Sequence, residues 1–183
     1  MADALLSVKN LCRRFGGIVA TDDLSLDVLR GELHAIIGPN GAGKTTLISQ
    51  LTGQLLPNTG TIHFAGQDIT RLPAYRRSAL GLARSFQITS LLKDFTAIDN
   101  VALAAQAHDG HSFRFWSKVR AEPHLRKAAM AALERVGLGP RADTIVSELS
   151  HGEQRELELA VALAAKPQML VLDEPMAGLG VTE

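Results

Sequence analysis

The chain has little of what disulfide-stabilised or nucleic-acid-binding proteins depend on. Its 183 residues hold one cysteine, Cys12, which excludes an intrachain disulfide framework. Nineteen basic and nineteen acidic residues leave no formal net charge, so the chain has no global basic field of the kind that drives non-specific nucleic-acid binding. We therefore expect no nucleic-acid partner.

Long apolar runs are also missing. The apolar stretch 159–165 is far shorter than the roughly 20 residues that cross a bilayer, so we expect no membrane span. The start, MADALLSVKNL, lacks a basic segment followed by a long apolar run, and we expect no export signal. With 46% hydrophobic and 21% charged residues, the composition is that of a globular protein with one sizeable core, or one core and a small appended lobe.

The most specific feature present is the glycine-rich segment GPNGAGKTT, residues 38–46, which satisfies the pattern G-x-x-x-x-G-K-[ST]. Before it, residues 34–37 (HAII) are predicted to form a short buried strand. After it, residues 45–51 (TTLISQL) are predicted to open a helix that Gly53 ends. Strand, glycine loop and helix together are the setting in which this pattern binds phosphate.

The residue types of this loop suit an anion. Glycines let successive backbone N–H groups point inward, and the helix N-terminus adds a partial positive charge. Lys44 is predicted to act on the β and γ phosphates, also in catalysis, and the Thr45 hydroxyl is a hard oxygen ligand suited to Mg²⁺. The predicted nucleotide-binding residues of the loop are Gly38, Pro39, Asn40, Gly41, Ala42, Gly43, Lys44, Thr45 and Thr46.

Two different sequence patterns follow one another along the chain. Residues 5–37 alternate apolar and polar side chains and are broken by Gly-Gly and Arg-Gly pairs, and residues 61–65 lie between glycines, so a small β-rich lobe is predicted. From residue 96 onward two segments have helical spacing, the second ending near Gly137. The segment 108–124, with Trp116, is either an amphipathic connector packed on the core or a family-specific insertion.

An apolar strand is predicted within QMLVLDEP, residues 168–175, and it ends in two carboxylates. A parallel strand delivers acidic side chains to the edge of a nucleotide site in this way. Asp173 would hold Mg²⁺, and Glu174 would orient or deprotonate the attacking water. The alternative is an ordinary strand that ends in solvated acids.

LSHGEQ, residues 149–154, precedes a predicted helix. Ser150 and Glu153 have the spacing of a capping box, which by itself accounts for both residues. The start of a helix is also an anion site, because backbone N–H groups such as that of Gly152 can meet a phosphate. The two interpretations are compatible.

These motifs, with SFQ at 85–87 and AGLG at 177–180, resemble in their order the ATP-binding subunit of ABC transporters over essentially the whole chain. LSHGEQRELELA, DEPMAGLG and FQITSLLKDFTAIDNV look most like the branched-chain amino acid importer ATPases. The resemblance implies an α/β fold: a P-loop NTPase core, with a mostly parallel sheet and flanking helices, an N-terminal antiparallel β lobe and an α-helical subdomain. The domain would span 5–183, with the β-rich and P-loop part at about 5–87 and 167–183 and the helical subdomain at about 88–166.

The resemblance also implies roles for single residues. Phe15 matches an aromatic residue that stacks on adenine, although a core Phe of the β lobe is the alternative. Gln87 matches a catalytic and metal-sensing residue that detects Mg²⁺ and the attacking water. Ser150, Gly152 and Gln154 match a signature that closes over the γ-phosphate held by a second ATP-binding subunit, and the loop 177–180 would cross that dimer interface.

The implied cofactors are ATP and Mg²⁺, and the further partners are integral membrane permease subunits. The chain would sit peripherally on the cytoplasmic face of the cell membrane and power import. Leu91, Leu92 and Phe95 are a candidate docking surface for a permease or, alternatively, a satellite hydrophobic cluster.

The chain departs from the family pattern at two places. His151 stands where the commonest signature has glycine, and the chain stops at Glu183, before the helix and the histidine-bearing strand that follow in the family. We therefore expect a domain that is incomplete at its C-terminal end, with ATP binding and impaired hydrolysis. The competing hypotheses are a soluble ABC-type ATPase without a membrane partner and an ATP-binding fragment without catalysis.

Overall fold

The computed structural model describes residues 4–84, 91–108 and 123–173. The chain divides into two compact units, Met1–Leu80 and Gly81–Glu183. Among the described residues the first unit has four strands and two short helices, and the second has two short strands and three longer helices. No helix among the described residues of either unit is long and apolar enough to cross a membrane.

The first unit is built on an antiparallel sheet in the order β2-β1-β3-β4. Its strands are β1 (Ala4–Phe15), β2 (Ile18–Leu29), β3 (Thr59–Phe64) and β4 (Gln67–Asp68). The turn between β1 and β2 uses Gly16 at φ +57°, a conformation that costs glycine little. Leu6, Val8 and Ile62 are buried on the sheet. The antiparallel β lobe predicted from the alternating pattern is confirmed.

The phosphate-loop helix also forms where it is predicted. Helix α1 runs over Lys44–Leu51, and Gly53 follows its end at φ +78°. A second short helix, α2 (Ala74–Ala79), carries Arg77, whose buried guanidinium donates to the carbonyl oxygens of Gln50 and Leu51 at the C-terminal end of α1.

The predicted buried strand at residues 34–37 is wrong. This segment has irregular backbone. The exposed fraction of Leu33, just before it, is 98%, and that of Ile37, its last residue, is 92%. A strand persists only where a neighbour pairs with its N–H and C=O groups, and none of the described strands pairs with this segment. Its apolar composition indicates a preference for burial but cannot supply the pairing partner.

The second unit combines a parallel strand pair with three packed helices. Strand β5 (Leu82–Arg84) pairs with β6 (Met169–Val171), and the helices are α3 (Ala97–His108), α4 (Pro123–Arg135) and α5 (His151–Ala164). One core, which includes Val101, Leu133 and Leu157, joins the three helices. The predicted helices and the α/β fold class are confirmed.

Two details complete the second unit. The chain leaves α4 through Gly137 at φ +83°, as the glycine there predicts, and short 3₁₀ turns at Gly139–Arg141 and Val146–Glu148 lead to α5. The segment 109–122, with Trp116, lies outside the described residues, so the choice between connector and insertion stays a prediction.

Glu158 on α5 is a carboxylate in an unfavourable place. Its Oε1 atom is buried and finds no hydrogen-bond donor among the described residues, and desolvation raises its pKa although Arg155 opposes the shift. A carboxyl group with a raised folded-state pKa stabilises the fold fully below its unfolded pKa, and this stabilisation is lost as the pH rises through the folded-state pKa.

We therefore expect Glu158→Gln to raise the free energy of unfolding by about 0.5 kcal/mol at pH 7, since solvent screens part of the effect. The gain should shrink at pH 4, where the carboxyl group is largely protonated in both states. Urea unfolding at the two pH values measures it. Glu156→Gln, at an exposed position on the same helix, is the control. An equal change in both variants would contradict the assignment.

Candidate functional site

The N-terminus of α1 is open to an anion. Its N-cap is Gly43, no side chain caps it, and its first turn contains no acidic residue. The N–H of Leu47 donates to the Gly43 carbonyl oxygen at 2.8 Å, and the N–H groups of the three preceding residues, Lys44, Thr45 and Thr46, come before this first helical bond. Uncapped N–H groups and the positive end of the helix dipole form an anion-binding site.

Glycine is required at position 43. The residue adopts φ +86°, and a Cβ atom built on it would lie 2.1 Å from the carbonyl oxygen of Ala20 on β2. The loop backbone therefore packs directly on the strand. Gly41 also has a positive φ, +81°, but a Cβ atom there would meet nothing within 4 Å. The two glycines thus serve different needs: close packing at 43 and backbone conformation alone at 41.

Lys44 lies inside its own loop. Its Nζ atom donates to the carbonyl oxygens of Gly38 at 2.6 Å and of Pro39 at 2.8 Å. These bonds hold the ammonium group against the first two residues of the loop. The Thr45 side chain is exposed, and the other predicted loop residues are also exposed or half-buried: Pro39, Asn40, Gly41, Ala42 and Thr46. The loop can therefore be reached from solvent.

Phe15 stands close to this loop. It pairs with Ile18 across the β1–β2 hairpin, and Ala20, two residues further along β2, is the residue against which Gly43 packs. Two strand residues span about 7 Å. The exposed fraction of Phe15 is 46%, which disfavours the alternative that it is a core residue of the lobe. An exposed aromatic ring thus lies within the reach of a nucleotide whose phosphates occupy the loop.

Asp173 follows β6 and is buried against an arginine. Its Oδ2 atom accepts a hydrogen bond from Nη2 of Arg84 at 3.1 Å, and both side chains are largely buried. Arg84 ends β5, the parallel neighbour of β6, so the strand pairing itself creates the contact. The predicted carboxylate at the carboxyl end of an apolar strand is present. Glu174 and Gln87 lie outside the described residues, as does the loop 177–180.

The start of α5 forms a complete capping box. Ser150 Oγ accepts from the N–H of Glu153 at 3.2 Å, and Glu153 Oε2 accepts from the N–H of Ser150 at 2.8 Å. The backbone hydrogen bond from Ser150 lowers the pKa of Glu153, which also pairs with Arg141. The Ser150 side chain and the Gly152 backbone therefore have fixed positions at this helix start.

Gln154 turns toward the backbone. Its Nε2 atom donates to the carbonyl oxygens of Leu149 at 2.9 Å and Val146 at 3.4 Å, so its amide group fixes the approach to α5. Its predicted contact with a nucleotide stays a prediction.

The structure groups the predicted residues by unit. Phe15 and the whole phosphate loop belong to the first unit, whereas Asp173 and the capped start of α5 belong to the second. Sequence reasoning missed Arg84. A single charged residue at the end of the otherwise apolar GLAR, directly before SFQ, was the signal that could have found it.

Comparison with known proteins extends these observations. The model of the ABC transporter family matches residues 21–177. The chain is 38% identical to the high-affinity branched-chain amino acid transport ATP-binding protein LivG of Escherichia coli K12, over 100% of this chain and 74% of LivG. It is 36% identical to the corresponding protein BraF of Pseudomonas aeruginosa, again over 100% of this chain and 74% of the relative.

A solved structure agrees with these relatives. The ADP conformation of an ATP-binding cassette of an ABC transporter superposes with a TM-score of 0.84 at 33% identity, covering 97% of this chain and 71% of that one. The chain therefore belongs to the ABC transporter family, as an ATP-binding subunit whose hydrolysis of ATP is coupled to transport.

Proposed function

We propose that this chain is the energising subunit of an ABC importer for branched-chain or related amino acids. The observation that carries the proposal is the open N-terminus of α1, with Lys44 inside the loop and Gly43 packed on β2. LivG and BraF, which match the whole chain, support the cargo class, because their names state branched-chain amino acid transport.

The first unit would contact both the base and the phosphates of ATP. Adenine would stack on Phe15, and the phosphates would meet the N–H groups of residues 43–46 and the Lys44 ammonium. The contacts of Lys44 with Gly38 and Pro39 show that its charge already lies inside the loop. ATP binding therefore needs an exchange of hydrogen-bond partners at Nζ rather than a new placement of the side chain.

Mg²⁺ fits the oxygen donors that the chain offers. Asp173 presents a carboxylate that pairs with Arg84 through Oδ2, and Thr45 presents an exposed hydroxyl. Hard oxygen ligands of this kind suit Mg²⁺, which takes its remaining ligands from phosphate and water. When bound with ATP, the ion would neutralise charge on the phosphate oxygens.

The Asp173→Asn variant tests this assignment. We expect the gain in ATP affinity that Mg²⁺ provides, relative to EDTA, to fall by about tenfold because the anionic ligand is lost. Equilibrium binding of ATP with Mg²⁺ and with EDTA measures the ratio. The control is Asp143→Asn, which removes an exposed carboxylate that pairs with Arg126 at 3.4 Å. An unchanged ratio in Asp173→Asn, with the fold intact, would argue against the metal role.

Hydrolysis would use side chains beyond the loop. We assign Glu174 to the orientation or deprotonation of the attacking water and Gln87 to sensing Mg²⁺ and that water, on the match of DEP and SFQ to the family pattern. Arg84 supports this edge of the strand pair, since it fixes Asp173 one residue before Glu174.

A second ATP-binding subunit would complete each site. Ser150, Gly152 and Gln154 lie at the start of α5, where the capping box fixes the backbone and leaves Ser150 exposed. We propose that this helix start meets the γ-phosphate held by the opposite subunit. ATP would then favour the closed pair, and hydrolysis would release it, so the output is a movement transmitted to permease subunits.

The proposed permease surface lies in the segment just before α3. Leu92 and Phe95 are exposed, whereas Leu91 packs partly against the helical core, so two of the three predicted docking residues are free to contact a partner. We place the chain peripherally on the cytoplasmic face of the membrane, in contact with membrane subunits, because its relatives LivG and BraF are transport ATP-binding proteins.

Leucine uptake tests the complete proposal. This chain would replace LivG in Escherichia coli cells, with the Lys44→Ala variant at matched protein levels as the control. We expect uptake above that of the Lys44→Ala cells. Equal uptake, with the wild-type chain shown to bind and hydrolyse ATP, would refute the amino-acid assignment and leave the ATP site standing.

A further inference from the structure

Arg13 lies directly over the ring of Phe15. Its guanidinium carbon is 4.7 Å from the ring centroid, within the range of a cation–π interaction. The two residues are two positions apart on β1, so their side chains leave the same side of the strand.

The Arg13 guanidinium also donates a hydrogen bond to a second segment of the chain. Its Nη1 atom donates to the carbonyl oxygen of Leu56 at 3.1 Å, in the segment between α1 and β3. Its Nε atom is buried and has no acceptor among the residues that the structure describes. A buried N–H without an acceptor costs free energy, so the hydrogen bonds of Arg13 alone do not account for the position of its side chain.

The ring itself remains accessible. The Arg13 guanidinium lies over the ring of Phe15, yet 46% of the residue is exposed, so the protein does not enclose it. Ile18, which pairs with Phe15, is 71% exposed, and Val19 beside it is also exposed. Apolar groups therefore face solvent together at the hairpin tip, about 7 Å along β2 from the phosphate loop.

We propose that Arg13 is a positioning residue for the adenine base: it holds the Phe15 ring with one face covered and the other open for stacking. This inference rests on the proposed adenine contact of Phe15. A ring that is held in the binding orientation loses less conformational freedom when the base arrives, which strengthens binding. Arg13 acts through Phe15 and does not touch the phosphates.

The test compares two ligands of the full chain. We expect Arg13→Met to weaken ATP binding by about fivefold, the size of a partly exposed cation–π contact. Binding of inorganic tripolyphosphate, which has no base, should not change. Arg13→Lys should restore part of the ATP affinity because it keeps a cation over the ring. In a Phe15→Ala background, Arg13→Met should have no further effect.

The control is Arg14→Met, which removes the same charge from the exposed neighbouring position. Circular dichroism melts identify folded variants. If Arg13→Met does not fold, the comparison of the two ligands is made with Arg13→Lys. Equal loss for ATP and tripolyphosphate, or an undiminished effect in the Phe15→Ala background, would overturn the role of Arg13. If Phe15→Ala leaves ATP affinity unchanged, the proposed adenine contact fails, and the inference fails with it. If Phe15→Ala weakens ATP binding and Arg13→Met does not, the positioning role of Arg13 is refuted and the adenine contact of Phe15 stands.

Discussion

Gly43→Ala is expected to weaken ATP binding by about 100-fold, which corresponds to about 2.7 kcal/mol. The alanine Cβ would lie 2.1 Å from the Ala20 carbonyl oxygen, which belongs to backbone and cannot rotate away. The residue would also have to keep φ +86°, a conformation that L side chains rarely adopt. The loop must therefore leave β2, and the N–H groups that meet the phosphates lose their alignment.

The same substitution should lower the free energy of unfolding by about 4 kcal/mol, from backbone strain and overpacking together. Urea unfolding and equilibrium ATP binding measure the two effects. Gly41→Ala is the matched control, because Gly41 has φ +81° and open space around its Cβ position. It should cost only the strain, about 1–2 kcal/mol. Similar losses in both variants would refute the role of the contact with Ala20.

Local sequence signals predicted much of this protein. Alternation and the Gly16–Gly17 turn predicted the β hairpin, Ser150 and Glu153 predicted the capped start of α5, and the loop pattern predicted α1. Each of these features is decided by residues close together in the chain. The family pattern added roles that local signals do not supply, such as those of Phe15 and Gln87.

Long-range contacts set the limit of sequence reasoning. The segment 34–37 looks like a buried strand because its residues are apolar, but strand formation depends on a partner elsewhere in the chain, which the segment does not have among the described residues. The contact of Arg84 with Asp173 likewise depends on the pairing of β5 with β6. Arg13 meets Phe15 locally, yet its tie to Leu56 joins positions 43 residues apart.

Strand β2 unites the two halves of the proposed ATP site. Ala20 receives the loop at Gly43, and Ile18 pairs with Phe15, so the positions of base and phosphates are set by one strand. The first unit therefore carries the residues proposed to hold the base and the phosphates of ATP, whereas Asp173, proposed to hold Mg²⁺, belongs to the second. Substitutions in the first unit should act on ATP affinity, and substitutions at Asp173 on the contribution of Mg²⁺.

Arg77→Met is expected to lower the free energy of unfolding by about 4 kcal/mol. Arg77 is fully buried, and its guanidinium donates to four backbone carbonyl oxygens: Gln50 and Leu51 at 2.7 Å each, Leu72 at 2.8 Å and Thr70 at 2.9 Å. Burial lowers the pKa of Arg77 to about 10 although Asp68 opposes the shift, so the group stays charged at pH 7. Methionine fills the space of the aliphatic stem but leaves these acceptors without their donor.

The far end of α1 depends on this arginine. Two of the four carbonyl groups belong to the last turn of the helix whose first residue is Lys44, and a cation there also complements the helix dipole. Arg76→Met, at the exposed adjacent position, is the control and should change the free energy of unfolding by less than about 0.5 kcal/mol. Arg77→Lys should recover only part of the loss, because one ammonium group cannot reach four carbonyl oxygens. Urea unfolding of the three variants decides the matter, and a loss in Arg77→Met no larger than that in Arg76→Met would show that α1 holds its place without this anchor.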